Sequence, residues 1–202
     1  NTSFAMGVAT STDGEAWSRY PLNPVLDMAR PSGIVQNWCW PLGLTLGRVG
    51  GFKGYMAGIR TNNTACEIFE LTAGDITTWN PQNQVVLSAG ANGDWDDEGF
   101  TALAITELDG MHYLFYVGFG KWETFSGYQE TRKSYLGMAT SSDGVNWTKN
   151  PDIIPINTTN AGHVGGVAAS TIGDRIHLWV TDRYGDNNAV GYFLFDPLHT
   201  TD

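Results

Sequence analysis

A seven-residue turn occurs three times in this chain, and that recurrence limits the folds open to it. Ser11-Thr12-Asp13-Gly14-Glu15-Ala16-Trp17 and Ser141-Ser142-Asp143-Gly144-Val145-Asn146-Trp147 are near copies, and Ala73-Gly74-Asp75-Ile76-Thr77-Thr78-Trp79 is a looser one. Each runs into a similar tail: RYPLNPVL, NPQNQVVL and KNPDIIPI. The tryptophans at 17, 79 and 147 lie 62 and 68 residues apart. A repeat of that length built from short strands is most simply one blade of a β-propeller. Asp can hydrogen-bond its own backbone in such a turn, and Gly accepts positive φ without a Cβ clash. Trp17, Trp79 and Trp147 recur at fixed places and therefore read as structural.

The strands between the turns repeat as well. FAMGVATS alternates as a strand and EAWSRY returns it. GYMAGIR, MHYLFYVGFG and RIHLWVTDRYG align as the second strands of successive units, each rich in aromatics. Asp109-Gly110 marks the tip of a hairpin between GFTALAITEL and MHYLFYVGFG. The segment KWETFSGYQETRK reads as a polar and aromatic insertion, a candidate rim loop. The expected division of the single domain 1–202 is 1–35 as the end of one blade, then 36–94, 95–162 and 163–202 as further blades. The chain thus reads as an all-β propeller without its beginning. Closure would need further strands, because an open end leaves unpaired edges and exposed apolar surface. A second chain or a processed N-terminal fragment is the favoured supplier, and closure by a homo-oligomer is the alternative.

Composition narrows the partners. Twenty-five glycines and many aromatics suit short strands and tight turns. The net charge of -10 argues against nucleic acid and against an anionic membrane surface. A neutral oligosaccharide or polysaccharide is compatible with it. Sequons at Asn1, Asn62, Asn146 and Asn157 have two readings, chance in a Thr- and Asn-rich chain or a secreted glycoprotein. Cys39 and Cys66 allow one disulfide or two buried thiols. No apolar stretch approaches the roughly 20 residues that span a bilayer. No signal peptide is evident, so a secreted protein would be in its mature form.

GVATSTDGEAW…NPVL and LGMATSSDGVNW…IIPI resemble the blade ends of five-bladed propeller glycoside hydrolases. That group contains arabinanases, β-xylosidases, fructan hydrolases and related mannoside phosphorylases. The resemblance implies a five-bladed ring of which this chain supplies roughly the last three to four blades. It also implies paired carboxylates around a central axis. One protonated carboxyl gives a proton to the leaving oxygen, while an ionised one activates water or attacks carbon. Burial and like charge drive the two pKa values apart.

Carried onto this chain, the resemblance puts the functional carboxylate among Asp96, Asp97 and Glu98, just ahead of an inner strand. An acidic, solvated loop is the plainer reading of the same residues. GHVGGVAAS resembles the group's Gly-His turn, so His163 is expected to face the central channel near a calcium ion. No other cofactor is required. Calcium prefers oxygen ligands, and the same histidine would serve equally well as a turn holder. Asp182 and Arg183 are candidates to bind sugar hydroxyls or to pair with each other. Trp38, Trp40, Trp95, Trp122 and Phe125 form a candidate aromatic surface for the apolar face of a sugar ring. One departure stands out. Where the group presents a Glu before Pro, this chain has Asn37-Trp38-Cys39-Trp40-Pro41. The acid would then be Glu98, Glu67 or a residue outside the chain. The leading expectation is a secreted enzyme hydrolysing glycosidic bonds. The rivals are a non-catalytic glycan- or protein-binding propeller and unrelated chemistry on the same scaffold.

Overall fold

The computed structural model describes residues 5–27, 34–46, 51–60, 66–125, 129–156, 164–182 and 189–197. All of its regular structure is β, in antiparallel sheets. Two short ladders come first: β1 (Ala5–Met6) pairs with β4 (Leu26–Asp27), and β2 (Ala9–Thr10) pairs with β3 (Ser18–Arg19). A four-stranded sheet follows in simple meander order: β5 (Ile34–Leu46), β6 (Phe52–Arg60), β7 (Glu67–Ala73) and β8 (Trp79–Ser88). The next has the same order, with β9 (Gly99–Leu108), β10 (Met111–Phe125), β11 (Gln129–Ser141) and β12 (Thr148–Lys149). The last is three-stranded: β13 (Val164–Ile172), β14 (Arg175–Asp182) and β15 (Val190–Phe195). Pro81 lies on β8, which pairs only with β7, so its missing N–H breaks no ladder on the open side. Among the described residues the sheets stand in a row and do not close into a ring.

The repeated turns are built alike. In the first, Asp13 Oδ1 accepts the N–H groups of Glu15 and Ala16 at 2.8 Å each, while Ser11 Oγ accepts Gly14 N–H at 2.9 Å. In the last, Asp143 Oδ1 accepts Val145 and Asn146 N–H at 2.8 Å each, and Ser141 Oγ accepts Gly144 N–H at 2.9 Å. Gly14 and Gly144 hold φ of 79° and 69°, where a side chain would be strained. In the looser copy, Asp75 Oδ1 accepts Thr77 N–H at 2.8 Å. Trp17 and Trp79 each donate Nε1–H to the carbonyl three residues back, Gly14 O at 3.0 Å and Ile76 O at 2.9 Å. In the last copy that carbonyl, Gly144 O, instead accepts the Tyr55 hydroxyl of the neighbouring sheet at 3.2 Å. The motif is therefore both a turn and a clasp onto the sheet before it.

Packing between sheets follows strand parity. On β6 and β7, Met56, Phe69 and Leu71 point back to Met6 of the first unit, and Trp79 joins that cluster. Tyr55 and Ile68 point forward to Phe100, Leu114 and Tyr116 of the next sheet. On β10 and β11, Phe115, Val117 and Leu136 point forward again, to Ile176, Leu178 and Val180. Burying these side chains completely contributes about 1.5–3 kcal/mol each.

The three motif tryptophans differ in cover although their turns match. Trp79 is 6% exposed, and Trp147 meets Tyr55 edge-on at 6.1 Å. Trp17 is 63% exposed, with no sheet ahead of it among the described residues. The segment 121–133, expected to be an inserted loop, is instead largely an extension of the β10–β11 hairpin. The ladder slips between Phe119 and Trp122, then runs on from Trp122↔Arg132 to Phe125↔Gln129. Continued pairing satisfies backbone groups that a loop would have to leave to solvent.

Two outcomes follow. Hydrogen bonds from Ala16 and Glu15, then from Ser11, hold the Asp13 carboxyl down at about 2. Its folded value lies below its unfolded one, so the turn's contribution is complete above the usual carboxylate range and is lost as pH falls through about 2. NMR titration should give Asp13 that midpoint and move Asp143 in the same direction, under hydrogen bonds from Asn146 and Val145. Separately, Phe115→Ala should lower the unfolding free energy by about 3–5 kcal/mol in urea, because it empties a fully buried position between two sheets.

Candidate functional site

Backbone register brings the sequence candidates to one end of the sheet row. Within the sheets, Ile34 pairs with Arg60, Gly99 with Phe119, and Val164 with Asp182. Three contacts align these ends between sheets. Cys66 N–H, at the start of β7, donates to Glu98 O at 3.3 Å. Ser134, which pairs with Phe119, donates its hydroxyl to Val164 O at 2.7 Å. At the far end, the Thr106 and Thr171 hydroxyls lie 2.8 Å apart, so β9 and β13 run in the same direction. One rim therefore carries the starts of β5, β9 and β13 together with the ends of β6, β10 and β14.

Gly99 fixes the middle of this rim. Its φ is 133°, and a Cβ there would collide with Cβ of Cys66. Only glycine lets β9 begin this close to β7. Glu98 immediately precedes it. Its backbone N–H donates to Phe119 O at 3.2 Å, and its half-buried side chain sits at the mouth of the inner strand.

The other two acidic residues have different surroundings. Asp96 is 1% exposed and paired with Lys149 Nζ at 2.5 Å; it also accepts the Tyr116 hydroxyl at 3.2 Å. Burial, and then the Asp96 charge, pushes the Tyr116 phenol far above its usual range, which keeps it protonated as a donor. Lys149 arrives from β12, at the far edge of the sheet from β9, and its ammonium lies over the rings of Phe100 and Tyr116 at 5.9 and 5.8 Å. Asp97 Oδ2 accepts Gly93 N–H at 2.8 Å and shapes its own loop, while its Oδ1 is buried without a hydrogen bond. Lys121 Nζ bonds Asn92 Oδ1 and ties the same loop to β10.

Trp95 is half-buried against the sheet. It stacks on Tyr116 at 5.7 Å and 7° and donates Nε1–H to Pro151 O at 3.1 Å. Gly118 and Gly137 leave the room for it, since a Cβ at either would come within 2.6 Å of its ring. Trp38 and Trp40 lie on β5, and Trp122 and Phe125 at the end of β10, with side chains outside the described residues. Asp182 ends β14 opposite Val164, its side chain likewise outside them, as are His163 and Arg183 altogether. Cys66 is buried, and the side chain of Cys39 lies outside the described residues. Glu67, at the start of β7, is 2% exposed and not turned to solvent. Among the described residues no group of three or more His, Cys, Asp or Glu side chains could hold a metal ion. The expectation of calcium rests on His163.

The sequence did not signal Lys149 or Tyr116 as partners of Asp96, nor Gly99 as the pivot. The one available hint was the Gly after Asp-Asp-Glu.

Neither a protein-family model nor a curated protein matches the chain. Solved structures do. A family 117 glycoside hydrolase of Zobellia galactanivorans aligns at TM-score 0.63 and 18% identity, over 78% of this chain and 52% of its own. A glycosyl hydrolase from Bacteroides ovatus aligns at 0.60 and 16%, over 95% and 58%. The Bombyx mori GH32 β-fructofuranosidase BmSUC1 aligns at 0.54 and 11%, over 78% and 34%. The likeness shows a shared all-β fold. This chain spans about half to three-fifths of the length of the first two enzymes.

The buried pair is testable. Lys149→Met should cost about 3–5 kcal/mol, because Asp96 is left charged and unpaired. Asp96→Asn in the Lys149→Met background should restore much of that loss. Both are read from unfolding midpoints in denaturant.

Proposed function

We propose that this chain forms most of a five-bladed propeller that hydrolyses glycosidic bonds in a neutral oligosaccharide or polysaccharide, in a secreted glycoprotein. What carries the reading is the rim, where Glu98 stands at the start of an inner strand that only glycine allows so close to its neighbour. The fold shared with several glycoside hydrolases supports it. In this reading Glu98 gives or takes the proton at the glycosidic oxygen. Asp96, held by Lys149 and Tyr116, keeps the loop in position, and Asp97 shapes its turn. The second carboxylate of the pair comes from further polypeptide that completes the ring, since Asn37-Trp38-Cys39-Trp40-Pro41 offers none on β5. Asp182, Arg183 and the tryptophans of β5 would contact the sugar. No step is assigned to an ion. The same absence of an acid on β5 favours a second reading, a propeller that binds glycans without cleaving them.

The two readings separate on one experiment. The intact protein is screened on arabino-, xylo-, fructo- and manno-oligosaccharides. Glu98→Gln should lower kcat on the accepted substrate by about 10²–10⁴-fold, the range for losing a general acid or base, with the unfolding midpoint unchanged. Glycan binding without turnover in the intact protein would establish the second reading, and neither binding nor turnover would remove both.

A further inference from the structure

The loop ahead of β9 holds the one Asn-Gly pair in the sequence, Asn92-Gly93. An Asn side-chain carbon lies within reach of the next backbone nitrogen, and the two can close a five-membered ring. Glycine has no Cβ to obstruct that approach. The fold decides what surrounds the pair. A turn carries it, closed by Asp94 N–H on Ala91 O at 2.9 Å and by Ala91 N–H on Asp94 Oδ2 at 2.7 Å. Asn92 and Gly93 are exposed at its tip. Gly93 holds φ of 100°, and no atom lies within 4 Å of where its Cβ would be. Two charged side chains meet the groups that would react. Lys121 Nζ, on β10, donates to Asn92 Oδ1, the oxygen that takes up negative charge on attack. Asp97 Oδ2 accepts Gly93 N–H at 2.8 Å, the proton that the nucleophile must lose. Asp97 Oδ1 is buried with no hydrogen bond of its own.

Two motif turns contain a related pair, Asp-Gly, without this arrangement. Asp13 Oδ1 and Asp143 Oδ1 each accept two backbone N–H groups from further along the chain. The Gly14 and Gly144 N–H groups go to the hydroxyls of Ser11 and Ser141, not to a carboxylate. So the same short sequence element is locked by its own turn in those two places, and at Asn92-Gly93 it is flanked by an acid–base pair.

We infer that Asn92-Gly93 is a self-modifying site, converted to aspartate and isoaspartate with the help of Lys121 and Asp97 in the folded chain. Gly93 N attacks Asn92 Cγ as its proton passes to Asp97, and the Lys121 ammonium holds the oxygen that becomes negative. The Cγ–Nδ2 bond then breaks, and the nitrogen leaves as ammonia with the proton that Asp97 had taken. Water opens the cyclic imide at either carbonyl, which gives aspartate or isoaspartate at position 92. No oxidant or reductant is consumed. The aspartate product faces Lys121, so a bond from an ammonium to an amide becomes an ion pair between this loop and β10. The isoaspartate product lengthens the backbone by a methylene in the loop that precedes Glu98. The inference rests on neither the ring nor the hydrolase reading.

The test is to incubate the protein at neutral pH, folded and in guanidinium chloride, and to follow residue 92 by peptide mapping. The peptide loses the mass of ammonia at the imide and then gains that of water, and isoaspartate is scored by enzymatic methylation. The unfolded chain keeps the Asn-Gly pair but loses Lys121 and Asp97. The folded protein should therefore convert at least about tenfold faster, a small part of the 10²–10⁴-fold that a positioned base supplies in an active site. Lys121→Met and Asp97→Asn, each confirmed as folded by its unfolding midpoint, should bring the rate most of the way down to the unfolded one. Asp13-Gly14 and Asp143-Gly144, mapped in the same digest, should stay unmodified. A folded rate equal to or below the unfolded one overturns the inference without recourse to any variant. Isoaspartate rising equally at the two motif turns overturns it as well, since that is ordinary ageing. So does a peptide in which ammonia is lost and Asn92 is joined to Lys121, because the lysine amine would then be the nucleophile.

Discussion

The grip of the last motif turn on the sheet before it is the interaction on which the rest of this architecture depends. Tyr55 shows how it works. Its ring is buried beneath Trp147, and its hydroxyl reaches the carbonyl that the tryptophan of another copy uses for itself. Burial, and then the nearby Glu70 charge, drives the phenol well above its usual range, so it remains a donor. A buried donor left without an acceptor would cost about 1–3 kcal/mol, so the carbonyl of Gly144 fixes where the second sheet lies on the first. Once that distance is set, Leu114 and Tyr116 fill the space between, and the inner strands are brought side by side.

That alignment is what gives the molecule a rim. The chain enters the two four-stranded sheets at β5 and β9 and leaves them at β8 and β12, so the connection from β8 to β9 crosses this end. The loop before β9 does this in few residues. Asp96 anchors it through Lys149, Trp95 lies flat over Gly118 and Gly137, and the backbone of Glu98 joins Phe119 and Cys66 just ahead of Gly99. Asp96 and Asp97, adjacent in sequence, thus meet different partners, Lys149 and Tyr116 for the first and the Gly93 N–H for the second.

Much of this was legible in the sequence. The three turns, the hairpin tip at Asp109-Gly110 with φ of 51° and 78°, and the matching second strands all follow from local chemistry. What it did not reveal is long-range. Nothing near Asp96 announces that a lysine from β12 will neutralise it. The alternation in RIHLWVTD marks two faces of a strand without saying which one a neighbour will cover. The hairpin beyond Phe119 looked like an insertion because its polar residues resemble loop composition, yet paired backbone needs no apolar side chains. Of the candidate site, the Asp-Asp-Glu run was visible, while the different partners of Asp96 and Asp97 required the fold.

Stacking in which every layer touches only its neighbours also shapes how such a molecule comes apart. Cooperativity then travels like a zipper along one dimension, with interface terms between successive units. Among the described residues the β13–β15 layer is clasped from a single side, so it is the natural place for fraying to begin. The middle layer, sandwiched between two others, should be the last to exchange its amide protons and the first to assemble.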